Sequence, residues 1–130
     1  SAPLQGADVQ AAEIPSLDEV PILAVAAAAA EGTTVFHDVG ELRVKESDRL
    51  ATVISELGAL GVRAEAVGDD LLVHGGGLRA GTVRSHGDHR IAMALAVAGL
   101  AGTGTVRVEG WDAVATSYPA FEQDLRHLCR

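Results

Sequence analysis

Two short stretches concentrate groups able to move protons and hold anions. In the first, Glu41 to Arg49, three cations (Arg43, Lys45 and Arg49) fall within seven residues of a chain whose formal net charge is −8. Read as a helix start, it sets Lys45 and Arg49 at i,i+4 and Glu46 and Arg49 at i,i+3. One face would then offer an ammonium, a guanidinium and a carboxylate together. The same residues also fit a solvated helix entrance with ordinary ion pairs, although helix N-termini attract anions through their N–H groups and macrodipole. The second stretch, Ser85 to Met93, puts Asp88, His89 and Arg90 at another helix entrance. Ser85 and Asp88 equally suit a helix cap. His86, Asp88 and His89 are tightly spaced with no second cluster, a weak metal signature. The planar fork of Arg90 suits bidentate capture of a carboxylate or phosphate. Asp18, at a third helix entrance, reads as a capping residue, with Glu19 completing the box.

The elements that must position these groups alternate between strand and helix. Asp8–Ile14 reads as a short strand. Asp18–Ala30 follows as a helix of small apolar residues, with Ser16 before it, Pro21 in its first turn and Gly32 beyond its end. Thr33–Val39 is β-branched and strand-like. Asp48–Leu60 carries Leu50, Val53, Ile54, Leu57 and Leu60 at helical spacing, with Gly61 just past it. Val62–Val67 and Leu71–His74 flank Gly68-Asp69-Asp70 and predict a hairpin. The order then restarts: strand Thr82–Ser85, helix Asp88–Leu100, strand Thr105–Glu109, helix Pro119–Leu128. Sliding the chain on itself by about 70 residues aligns Asp18 with Asp88, Gly32 with Gly102 and Ser47 with Ser117, a period typical of repeated supersecondary units. The expected fold is therefore α/β (α+β), with one βαβαββ unit over 1–76 and a second, incomplete one over 77–130. Each unit alone buries too little surface to stand as a domain. Gly75-Gly76-Gly77 is the expected linker. It lacks the lysine and following Ser or Thr of a phosphate loop, so nucleotide binding is not indicated there.

Composition narrows the function classes. The chain has 130 residues, 48% of them hydrophobic and 22% charged, which suits a folded domain or part of a larger one. Aromatics make up 3%, so Ala, Val, Leu and Ile must build the core, with Trp111 and Phe121 as packing residues. The acidic balance argues against a general nucleic-acid binder. A single cysteine, Cys129, cannot form an internal disulfide and suits a reducing compartment. The longest apolar run, Val20 to Ala30, is interrupted by Pro21 and falls short of the roughly 20 residues a bilayer needs. Ser1–Gly6 has no basic region leading an apolar block, so a cytoplasmic location is expected. His37, His74 and His127 lie in strand or terminal contexts that favour structural or exposed roles.

Together, Leu42 to Arg49, Gly87 to Met93 and Thr116 to Phe121, with the opening Ile14 to Pro21 and the Glu31-Gly32-Thr33-Thr34 run, closely resemble the C-terminal part of the 5-enolpyruvylshikimate-3-phosphate synthase (3-phosphoshikimate 1-carboxyvinyltransferase) family. The resemblance covers essentially the whole chain. Its first motif separates that family from the related UDP-N-acetylglucosamine enolpyruvyl transferases. Family members are much longer, with two domains each built from three βαβαββ units in an inside-out α/β barrel. By resemblance, this chain supplies about two of the three units of one domain.

The resemblance implies transfer of the enolpyruvyl group of phosphoenolpyruvate to the 5-hydroxyl of shikimate 3-phosphate, with release of phosphate by addition and elimination. Such chemistry needs a base at the hydroxyl, an acid/base at the methylene carbon and cations for two anionic substrates. No redox change occurs, so no cofactor or metal is expected. By the same resemblance, Asp18 acts on the shikimate hydroxyl and Lys45 contacts shikimate 3-phosphate. Glu46 exchanges a proton with the methylene carbon, Arg49 and Arg90 hold the phosphoenolpyruvate carboxylate, and His89 assists proton exchange. Two positions depart from the pattern: Thr116 stands where some members have a lysine, and Glu41 where some have an asparagine. The family's N-terminal lysine, serine and arginine motifs and its other domain have no counterpart here, so the chain is expected to be an inactive fragment alone, partnered by the missing N-terminal part. The alternatives are the nucleotide-sugar transferase and a non-catalytic α/β binding module.

Overall fold

The computed structural model describes residues 7–110 apart from Pro15, Glu46 and Thr103. Within these residues the chain forms two sheets and three α-helices. The first sheet has the order β1-β2-β4-β3, from β1 (Asp8–Gln10), β2 (Thr33–His37), β3 (Arg63–Val67) and β4 (Asp70–His74). β1 and β2 run parallel, so a crossover must join them, and α1 (Val20–Ala29) supplies it. From β2 the chain passes through a 3₁₀ turn, Gly40–Val44, into α2 (Arg49–Ala59), then returns as the antiparallel hairpin β3–β4. The second sheet pairs β5 (Gly81–Arg84) with β6 (Val106–Glu109) in parallel, joined by α3 (His89–Ala101). The β5-α3-β6 crossover repeats β1-α1-β2, as the internal alignment predicts.

Register and helix packing together build the core. Thr34 pairs with Val73 and Phe36 with Leu71, which puts these four buried residues on one face of the sheet. α1 covers that face and packs against α3, and the small side chains of both helices, Ala24, Ala28, Ala94 and Ala98 among them and all buried, suit a close approach. Leu50, Val53 and Leu57 of α2, with Leu60 at its C-terminal cap, complete the core at the spacing read from the sequence. The described core is thus mostly Ala, Val, Leu and Ile, with Phe36 as its one aromatic side chain. Trp111, Thr116, Phe121, His127, Cys129 and the helix predicted over Pro119–Leu128 lie outside the described residues.

Local chemistry moves several predicted boundaries. β1 ends at Gln10 rather than Ile14, because Glu13 turns back to accept from the Gln10 N–H at 2.9 Å and closes a 3₁₀ turn, Ala11–Glu13. Ser16 accepts from Asp18 N at 3.1 Å, so Asp18 sits in a 3₁₀ turn, Leu17–Glu19, just before α1. Asp48 caps α2 by accepting from Ala51 N at 3.0 Å. That cap starts the helix at Arg49 and leaves Lys45 in extended backbone, so the expected helical i,i+4 pairing of Lys45 with Arg49 does not form.

The triple glycine is not a slack linker. Gly75, Gly76 and Gly77 donate to the carbonyls of Gly32, Ala30 and Ala28 at 2.8, 2.8 and 2.9 Å, which satisfies oxygens left open at the end of α1. A methyl group at Gly75 would overlap the Ala30 carbonyl oxygen, while Gly76 and Gly77 have φ of 134° and 106°, values open mainly to glycine. Among the described residues no helix is long and apolar enough to cross a membrane.

Candidate functional site

Three chain segments converge at the N-terminal ends of the helices. Asp18 comes from the turn before α1, Lys45 and Ser47 from the approach to α2, Arg49 from its first position, and Asp88 from the cap of α3. Arg49 is the hub. Its Nε donates to Asp88 Oδ2 at 2.7 Å and its Nη2 to Asp88 Oδ1 at 3.1 Å, the paired geometry of a guanidinium on a carboxylate. Its Nη1 donates to Asp18 Oδ1 at 2.8 Å. Lys45 Nζ lies 3.8 Å from the same oxygen, within ion-pair but beyond hydrogen-bond range. The two ends of this chain of charges differ in access: the side chain of Arg49 is 2% exposed and that of Asp88 fully buried, whereas those of Asp18 and Lys45 are each 35% exposed. Asp18 and Lys45 are thus the members of this chain of charges open to solvent, with Arg49 beneath them.

The electrostatics follow from this burial. Removal from water pushes the Asp88 carboxyl upward, but hydrogen bonds from Arg49 and Ser47, the Arg49 charge and the Arg90 N–H outweigh it and hold the group below its ordinary value. Burial acts to lower the Arg49 value, and Asp88 and Asp18 overcome it, so the guanidinium is raised still further. Both groups stay ionised. Two carboxylates accept from one buried guanidinium, so the cluster as a whole is built around anion contact with Arg49.

The local fold explains why the groups meet. Ser85–Asp88 is a tight turn in which His86 and Gly87 have φ of 56° and 74° and Asp88 N donates to Ser85 O at 3.0 Å. Glu56 of α2 braces it by accepting from Arg84 N and, at 3.3 Å, meeting His86 Nε2. On the other side, the Gly68-Asp69 turn holds the Gly40–Val44 segment. Arg43 donates from Nη1 to Asp69 Oδ1 at 2.9 Å and from Nη2 to the Gly68 carbonyl at 2.6 Å, and Val39 N donates to Asp69 O at 2.8 Å. Arg43, counted in the sequence as one of three clustered cations, thus ties down the hairpin instead of joining the site. Beside it, an open cleft of about 560 Å³ is lined by Ala11, Leu17, Asp38, Gly40, Glu41, Val44 and Asp69.

The remaining site residues have distinct placements. His89 is half-buried at the first position of α3. Arg90 follows it with an exposed side chain, and its backbone N–H donates to Asp88 Oδ1 at 3.0 Å. Glu46 lies outside the described residues. Asp88 was legible as the α3 cap, but its grip on Arg49 and the part of Ser47, which donates to Asp88 Oδ2 at 2.7 Å, were not. One signal was available: Arg49, Val53 and Leu57 stand at i, i+4 and i+8, so Arg49 shares the apolar stripe of α2 and must meet a buried carboxylate. His37 contacts Asp70 at 3.1 Å and Asp8 at 3.2 Å, and His74 contacts Thr33 and Glu65, each at 2.9 Å, on the sheet and away from this cluster. Among the described residues no group of three or more His, Cys, Asp and Glu side chains is arranged to hold a metal ion.

Comparison with known proteins agrees with these motifs. The sequence profile of a family described as EPSP synthase (3-phosphoshikimate 1-carboxyvinyltransferase) matches residues 1–125. A 3-phosphoshikimate 1-carboxyvinyltransferase of Roseiflexus castenholzii is 51% identical, covering 98% of this chain and 30% of its own length. One from Xanthomonas campestris pv. campestris is 53% identical over 93% of this chain and 28% of its own length. The fold superposes on EPSP synthase from Acinetobacter baumannii with a TM-score of 0.86 at 38% identity, covering 93% of this chain and 29% of that one. It also matches the enolpyruvyl transferase NikO from Streptomyces tendae, with a TM-score of 0.73 at 30% identity over 98% of this chain and 29% of that one. The architecture is therefore that of the enolpyruvyl transferases, and the chain spans under a third of the length of the curated relatives it matches. With the profile running through all but the last five residues, the chain belongs to the EPSP synthase family.

Proposed function

We propose that the polypeptide carrying this chain transfers the enolpyruvyl group of phosphoenolpyruvate to the 5-hydroxyl of shikimate 3-phosphate and releases phosphate, a step toward chorismate and the aromatic amino acids. The observation that carries this is the family profile over residues 1–125 together with the convergence of Asp18, Lys45 and Arg49. In the addition step the hydroxyl oxygen bonds to C2 of phosphoenolpyruvate, the hydroxyl proton passes to Asp18, and C3 gains a proton. In the elimination step C3 loses a proton and the C2–O bond to phosphate breaks. Glu46, assisted by His89, handles the proton at C3. Lys45 meets the shikimate 3-phosphate, and Arg49 with Arg90 holds the phosphoenolpyruvate carboxylate. An incoming carboxylate that takes over Nη1 of Arg49 also releases Asp18, so binding of one substrate readies the base for the other.

The chain supplies only part of such a site. We read residues 1–76 as one βαβαββ unit and 77–130 as a second, incomplete one; the change of sheet between His74 and Gly81 supports that division. The missing N-terminal part of the enzyme is then the partner that completes the site, and the setting is cytoplasmic. The test is phosphate release on mixing the complete polypeptide with phosphoenolpyruvate and shikimate 3-phosphate. We expect release that is lost with the 130-residue chain alone and sharply reduced by Glu46→Gln. Release supported by UDP-N-acetylglucosamine instead of shikimate 3-phosphate would overturn the substrate assignment. An unchanged rate in Glu46→Gln would overturn the role of that carboxylate.

A further inference from the structure

We propose that Asp88, with Ser47 behind it, is the positioning residue that aims Arg49 into the site. This rests on the functional reading above for what Arg49 holds, but the geometry stands on its own. Asp88 has 1% of its surface exposed and both of its oxygens already accept from protein donors, so it acts on Arg49 rather than on a substrate. Its Oδ2 accepts from Arg49 Nε at 2.7 Å and Ser47 Oγ at 2.7 Å, and its Oδ1 from Arg49 Nη2 at 3.1 Å and Arg90 N at 3.0 Å. Two parallel bonds on one edge of the guanidinium fix its plane. With that edge fixed, Nη1 points to Asp18, the half-exposed carboxylate beside Lys45. The bond to Arg90 N ties the same carboxylate to the first turn of α3, so one side chain sets the orientation of Arg49 and the start of the helix bearing His89 and Arg90. The Ser85–Asp88 turn, braced by Glu56, holds Asp88 in turn.

Asparagine at this position keeps the volume but removes the charge. Its NH2 also faces a guanidinium N–H, donor against donor, so the paired grip is lost. In the complete polypeptide, Asp88→Asn is expected to raise KM for phosphoenolpyruvate by about 10–100-fold, the scale on which small misplacements act at reacting centres. KM for shikimate 3-phosphate should move less than about threefold, because Lys45 pairs with Asp18 and the misplacement scale applies to the group that is moved. A general loss of structure would shift both constants together. The second readout needs no turnover: the Nε–H proton of Arg49, followed by nitrogen-15 NMR, exchanges slowly with water in the wild type and rapidly in Asp88→Asn. Should Asp88→Asn fail to fold, Ser47→Ala removes one bond to the same oxygen, and the same KM split is expected at about 2–5-fold, in keeping with a single hydrogen bond. Slow Nε–H exchange in Asp88→Asn, equal shifts in the two KM values, or no KM shift in either variant would overturn the positioning role. A wild-type polypeptide that releases no phosphate would instead overturn the functional reading, leaving the exchange measurement to decide the placement of Arg49.

Discussion

Replacing Arg49 by Met keeps most of the aliphatic stem and removes the charge, which isolates the electrostatic role of the hub. In the native arrangement Arg49 and Asp88 are 2% and 1% exposed and joined by two hydrogen bonds, with a third from Arg49 to Asp18. Deleting one member of such a buried pair leaves an uncompensated charge and costs about 3–5 kcal/mol. The pH dependence sharpens the test. Asp88 is held below its ordinary value, so the stability it contributes is full above the unfolded carboxyl value and is lost as pH falls through the lower, folded one. Without Arg49, its hydrogen bonds and charge no longer oppose burial, so the folded value moves upward from its native position. The penalty in Arg49→Met is then present at neutral pH and is relieved as pH falls and Asp88 takes up a proton. Urea unfolding followed by circular dichroism at pH 7, 5.5 and 4 should show a gap between the two proteins that narrows on acidification. The double variant Arg49→Met, Asp88→Leu should recover much of the loss, as buried pairs replaced by apolar residues often do. A loss under about 1 kcal/mol, well below the buried-pair scale, or a gap that does not change with pH would refute this account.

The remaining predictions concern the frame. Gly75→Ala should lower the urea midpoint by the equivalent of about 1–3 kcal/mol, because the added methyl collides with a backbone carbonyl that closes α1. Phe36→Ala should cost about 3–5 kcal/mol in the same assay, since the ring is buried among Ala, Val and Leu side chains with no aromatic neighbour in the described core. His37 is raised chiefly by its hydrogen bond to Asp8, opposed by burial and assisted by Asp70, so its contribution is present below the ordinary histidine value and fades as pH rises through the higher folded one. The Tm difference between wild type and His37→Gln should accordingly be larger at pH 6 than at pH 9; a difference that grows with pH contradicts the assignment.

What the sequence could reveal depended on how local each cause was. α2 was legible because its apolar residues repeat at helical spacing, and the β3–β4 hairpin because Gly68-Asp69 permits a tight turn. Lys45 was misjudged because one nearby carboxylate, Asp48, caps α2 and excludes Lys45 from the helix. The end of β1 turned on the side chain of Glu13, three residues away, which outcompetes continuation of the strand. The glycine run looked like a linker because composition reports freedom and not contacts; carbonyls at the end of α1, more than forty residues earlier, pin it. The partner of Arg49 was harder still, since 39 residues separate it from Asp88 and only folding brings them together. The apolar stripe nonetheless announced that some carboxylate had to be there.

The central claim is that a buried guanidinium, shared between Asp18 and Asp88, receives the substrate carboxylate. Steady-state phosphate release by the complete polypeptide carrying Arg49→Lys tests it most directly, because lysine keeps the charge and loses the fork. The account predicts a fall in kcat/KM for phosphoenolpyruvate of about 10–150-fold, the worth of one charge-assisted hydrogen bond, with KM for shikimate 3-phosphate nearly unchanged. A kcat/KM for phosphoenolpyruvate equal to that of the wild type would contradict it.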